Sequence, residues 1–217
     1  VNAIYFDAKW ENPFYVNKTK KDDFCNIDNT HKTVDFMNKT SYFNYYGNEN
    51  FQLLEMKYKN SDLSMYIVLP KNNYKVTHED FENALKNKKP TYVKVHLPKF
   101  EFKSDSINLV NYLKHMGVEK AFEKTCRDFN TMFTVKGKDK DEMKFYISDV
   151  IQKTFVKVDE KGTKAAAATA VVYHGYGCCL APHEPLPIYF NADHPFTYVI
   201  RNNKSGEIVF MGNQCKF

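Results

Sequence analysis

The side chains that could do chemistry in this 217-residue chain are seven histidines, five cysteines and scattered serines, and their spacing supports little catalysis. No Gly-x-Ser-x-Gly elbow occurs, so no serine has the strand-to-helix context that presents a nucleophile. Only 8 glycines are present, and none falls into a Gly-x-Gly-x-x-Gly or Gly-x-x-x-x-Gly-Lys pattern that would cradle a phosphate. The densest donor group is His174, Cys178, Cys179 and His183, soft enough to suit zinc. Adjacent cysteines do not readily both turn toward one tetrahedral ion and the spacing fits no finger, so the favoured reading is an exposed loop without metal.

Just before that group, Glu160 to Cys179 reads Glu-Lys-Gly-Thr-Lys-Ala-Ala-Ala-Ala-Thr-Ala-Val-Val-Tyr-His-Gly-Tyr-Gly-Cys-Cys. Lys164 to Ala168 has near-optimal helix propensity, while Gly162, Thr163, Thr169, Val171 and Val172 favour extended chain. A run this short does not hold a helix in water by itself. On propensity alone Lys164 to Ala170 reads as an ordinary helical turn, and the conflict with its flanks stays open.

Stepping outward, 43% hydrophobic and 16% aromatic residues describe a globular chain with a sizeable core. The net charge of +5 comes from Lys-rich stretches interrupted by acids, Lys18 to Asp23 and Lys136 to Asp141, which read as solvated loops and not as a nucleic-acid surface. No apolar run approaches the ~20 residues that span a bilayer as a helix, so no membrane partner is expected. Cys25, Cys126, Cys178, Cys179 and Cys215 form no regular framework and leave the redox compartment open. Sequons at Asn17, Asn38 and Asn203 lean toward a secreted glycoprotein, with a cytoplasmic protein as the alternative.

Alternation at period two marks Leu63 to Leu69 and Tyr92 to Pro98 as strands. Weaker signals lie at Ala3–Trp10, Val34–Met37, Phe51–Met56, Phe100–Phe102, Ile147–Val158, Phe196–Ile200 and Ile208–Met211. Thr77-His78-Glu79-Asp80 begins a capped helix with Phe81, Ala84 and Leu85 on one face. Leu109, Leu113 and Met116 form a second stripe ending at Gly117, and both stripes are expected to be core. Asn202 to Gly206 reads as a hairpin turn. The class is α+β and β-rich, with no internal repeat and no dividing linker.

Three motifs in order then resemble the serpin family. Glu160-Lys161-Gly162-Thr163, followed by Ala165, Ala166, Ala167 and Ala168, resembles the hinge of an inhibitory serpin's reactive-centre loop, with Lys164 in place of the usual Glu. Phe190-Asn191-Ala192-Asp193-His194-Pro195-Phe196 is similar to the family signature, with Thr197 where an apolar residue is usual. Val1 to Phe6 through Trp10 is similar to a central-sheet strand ending in the breach tryptophan. The resemblance implies a fold of three β-sheets with surrounding helices, of which residues 1–217 are expected to be the C-terminal part, with a reactive-centre loop at about 160–188. The N-terminal portion of the same domain is then a required partner.

It also implies a protease inhibitor and not an enzyme, without cofactor or metal. The inhibitor is a suicide substrate: the loop is cut while acylating the protease, and its hinge enters the main sheet as a new strand. Family spacing from Glu160 puts the scissile bond between Tyr176 and Gly177, and an aromatic there suits the hydrophobic primary pocket of a chymotrypsin-like serine protease. The alternatives are a non-inhibitory serpin acting as carrier or chaperone, and a fragment that only binds a partner.

Overall fold

A computed structural model describes residues 2–124, 129, 132, 145–163 and 185–217. The chain divides into two compact units, residues 1–6 with 102–156, and residues 7–101 with 157–217. Two of these boundaries fall inside continuous strands, which is why no linker composition marks them.

The elements run, in order, β1 (Asn2–Tyr5), β2 (Ala8–Lys9), β3 (Lys20–Cys25), β4 (His31–Gly47), β5 (Phe51–Lys57), β6 (Leu63–Pro70), α1 (His78–Asn87), β7 (Lys89–Pro98), β8 (Phe100–Lys103), β9 (Ile107–Asn108), α2 (Val110–His115), β10 (Ile151–Asp159), β11 (Gly162–Thr163), β12 (Ile188–Asn191), β13 (Phe196–Asn202) and β14 (Ile208–Gln214). An α+β, strand-rich chain is what the sequence led us to expect.

The larger unit is built on an eight-stranded sheet of order β12-β7-β4-β5-β6-β13-β14, with β3 paired to β4. β6 is buried from Ser64 to Leu69, because it is covered on both faces. On one face α1 sets Phe81 and Ala84 against Phe51, Leu53, Tyr66, Val68 and Val199. On the other, Phe24, Phe100, Phe196, Tyr198 and Phe217 meet edge-on or tilted, with ring centroids 4.8 to 6.4 Å apart. The start of α1 is a capping box: the Thr77 side chain accepts from the Asp80 N–H at 3.2 Å, and Asp80 accepts from the Thr77 N–H at 2.9 Å. The Asn202–Gly206 turn closes the β13–β14 hairpin, with Gly206 at φ +80°.

In the smaller unit β1 lies parallel to β10, Asn2 opposite Gln152 and Tyr5 opposite Phe155, with no strand between them. β9 pairs antiparallel with the start of β10. α2 ends in a Schellman turn, Val118 N–H to the Leu113 carbonyl at 3.0 Å and Gly117 N–H to Lys114 at 2.9 Å, with Gly117 at φ +92°.

Four expectations need correction. Lys20 to Asp23 is not loop but part of the edge strand β3, whose four charged side chains stay exposed on a strand with one neighbour. The α2 stripe is not core: Leu109 and Leu113 are half-buried and Met116 is 79% exposed. The strand expected from Ile147 begins at Ile151, and the one expected over Ala3–Trp10 breaks at Phe6–Asp7. His174, Cys178, Cys179, His183, Cys126 and Lys136 to Asp141 lie outside the described residues. Among those described, no group of three metal-ligating side chains forms, and no helix is long and apolar enough to cross a membrane.

Candidate functional site

The first hinge residues are strand, and the local sequence accounts for it. β10 ends at Asp159; the turn through Glu160 and Lys161 reverses the chain, the Lys161 N–H donating to Asp159 Oδ1 at 2.9 Å. β11 then runs antiparallel between two neighbours, Gly162 facing Asp159 and Lys9, Thr163 facing Val158 and Ala8. Gly162 is required by proximity. A Cβ built there would fall on the Ala8 carbonyl oxygen and 2.7 Å from Lys9 Cα, both backbone atoms that cannot swing aside.

Trp10 closes this end of the sheet. Its N–H donates to the Lys161 carbonyl at 2.9 Å and its indole Nε1–H to the Asp159 carbonyl at 2.9 Å. The indole stacks on Tyr58, centroids 4.7 Å apart and planes at 15°. Tyr58 in turn shares a buried 2.8 Å hydrogen bond with Thr163 Oγ1, and burial pushes its phenol far up, that bond opposing.

Glu160 is buried yet ionised. Burial works against its charge, but the Thr19 hydroxyl donating to Oε1 at 2.7 Å and the Lys99 ammonium 3.3 Å from Oε2 prevail and hold its carboxyl below the ordinary value. Its carbonyl accepts from the Phe14 N–H at 2.8 Å. Thus the expected hinge residues Glu160, Gly162 and Thr163 and the expected breach residue Trp10 come together. Ala165, Ala166, Ala167 and Ala168, and Tyr176 and Gly177, lie outside the described residues. Thr19, Tyr58 and Lys99 were missed, since they reach the hinge from as far as 105 and 141 positions away and carry no local motif.

Beyond residues 164–184 the chain returns as β12, parallel to β7. In the signature segment, Phe190 and Ala192 are buried and the Cys25 N–H donates to the Asp193 carbonyl at 2.7 Å. The His194 ring bridges Asp193 Oδ1 and the Pro70 carbonyl, each at 2.8 Å, and its bond to Asp193 raises its pKa against burial. Thr197 stands on a half-exposed face and donates to Asn213 Oδ1 at 2.6 Å, which accounts for a hydroxyl there.

Beside Trp10 lies a cavity of about 210 Å³ lined by Phe14, Tyr42, Asn44, Glu55 and Pro90 among others. The Glu55 carboxylate is already met by Asn44, Ser64, Tyr66 and Asn203 at 2.8 to 3.1 Å, so it serves the sheet and is not free for a ligand. Of the sequons, Asn38 Nδ2 donates to the Lys18 and Phe36 carbonyls, and Asn203 Nδ2 to Glu55 and Ser64. Asn17 is exposed in a short 3-10 turn.

Gly162 and Thr163 thus form a short strand between β10 and β2, beside a buried tryptophan that bonds the turn before it. The family described as Serpin (serine protease inhibitor) matches residues 1–216, and the chain belongs to it. It is 38% identical over 97% of its length to an uncharacterized serpin-like protein of Thermococcus kodakarensis, of which it covers 48%. It is 36% identical over 98% of its length to the leukocyte elastase inhibitor of Xenopus tropicalis, covering 56% of that protein. The crystal structure of Serpin48 from Tenebrio molitor superposes with a TM-score of 0.75 at 32% identity, over 99% of this chain and 55% of that one. The chain spans about half the length of these relatives. The family is one of protease inhibitors and not of enzymes.

Proposed function

We propose that this chain is the C-terminal portion of an inhibitory serpin domain, and that with the N-terminal portion it traps a chymotrypsin-like serine protease. The loop at about 160–188 is cut between Tyr176 and Gly177, and the acylated strand then enters the main sheet behind Thr163. The observation that carries this reading is the pairing of Gly162 and Thr163 between β10 and β2, because a strand already begun there can be extended as β1 and β10 part. Ala165 to Ala168 suit that extension, since small side chains enter a packed sheet without overpacking it. An aromatic at Tyr176 suits a hydrophobic primary pocket. Asn17 is the sequon that best fits a glycan, and with it a secreted protein, because it is exposed while the amide nitrogens of Asn38 and Asn203 are engaged in hydrogen bonds.

The test is incubation with chymotrypsin, read by denaturing electrophoresis and mass spectrometry. A covalent complex and a released peptide beginning at Gly177 are expected, and Tyr176→Ala should lose both. Cleavage with no complex in the parent protein would favour a carrier or chaperone instead. A chain neither cut nor complexed would favour a fragment that binds a partner.

A further inference from the structure

We propose that Tyr58 is a positioning residue for loop insertion: its hydroxyl, through Thr163, latches the first hinge strand into the sheet before the loop is cut. The functional consequence rests on the inhibitor reading above, whereas the latch itself does not. Tyr58 is fixed from behind by its stack on Trp10 and by the Trp10–Tyr58 bridge, so its hydroxyl cannot follow Thr163 if β11 leaves. Thr163 is fully buried, and its Oγ1 lies 2.8 Å from the Tyr58 oxygen. Removing either partner takes from the other's buried hydroxyl the hydrogen bond they share, whereas replacing both with apolar groups of similar shape removes donor and acceptor together. The other contacts of this turn, Trp10 Nε1 to Asp159 and Thr19 and Lys99 to Glu160, all act before Gly162. The Tyr58–Thr163 pair thus lies nearest the point from which insertion proceeds. A strand already paired there spares the inserting loop its nucleation step, so the latch favours trapping over hydrolysis of the acyl-enzyme.

The experiment is residue-resolved amide hydrogen exchange on the protein and on Tyr58→Phe, Thr163→Val and the double variant. Each single change should speed exchange at Gly162 and Thr163 by about tenfold, with β5 and β6 unaffected, and the double variant should return to near the parent rate. Unchanged exchange in both singles, or effects that simply add in the double, would overturn the latch. Faster exchange throughout β5 and β6 in the singles would also overturn it, because that is general loosening. Incubation with chymotrypsin supplies the second arm: Tyr58→Phe should raise the ratio of cut to trapped inhibitor severalfold, and the double variant should recover. If the parent forms no complex but the exchange pattern holds, the inhibitor reading fails and the latch stands.

Discussion

The segments on either side of residues 164–184 are held by different means. At the hinge, Glu160 to Thr163 are fixed by side chains from three directions: Thr19 and Lys99 on the carboxylate, Trp10 on the turn, and Tyr58 on Thr163. At the far end, Leu186 is 95% exposed and Tyr189 is 65% exposed, with Lys94 5.1 Å above its ring; β12 is an edge strand held by backbone pairing to β7 and by the single buried anchor Phe190. In the proposed mechanism the first end must stay in register for a strand to grow from it, whereas the second needs only to keep the chain attached.

The comparison can be broken most severely at Trp10. Trp10→Ala should cost about 4 kcal/mol in urea denaturation, because it empties a buried aromatic site and removes the donor to Asp159. Gly162→Ala should follow, at about 3 kcal/mol, since its methyl group collides with the backbone of Ala8 and Lys9. A smaller effect comes from charge. Glu160 has a lowered pKa, so its stabilisation is complete above its ordinary value of 4.5 and is lost as the pH falls through the lowered one. Glu160→Gln should cost about 1 kcal/mol at pH 7, the half-exposed Lys99 limiting the gain, and the difference from the parent should vanish in acid. Leu186→Ser should change stability by less than about 0.5 kcal/mol, because that side chain already stands in solvent.

What the sequence disclosed followed the same division between local and distant causes. The capping box of α1 and the Asn202–Gly206 turn depend on neighbours within a few positions, and each was legible. β3 was not, because an edge strand can carry Lys20, Lys21, Asp22 and Asp23 without an apolar face. β4 was recognised only over Val34 to Met37, since its partners change along its length from β3 and β7 to β5, and its exposure changes with them. The stripes of α1 and α2 share one pattern yet differ in burial, because a helix declares an apolar face but not what covers it. Lys99, Thr19 and Tyr58 became functional candidates only when folding brought them to the hinge.

The most direct test of loop insertion is the melting temperature of the protein before and after its loop is cut at Tyr176. Each residue that joins the sheet adds ~1 kcal/mol, worth about 2–4 °C in a chain of this size, so entry of Ala165 to Ala170 should raise the midpoint by on the order of 10–20 °C. An unchanged or lowered midpoint after complete cleavage would show that the strand begun at Gly162 and Thr163 does not continue.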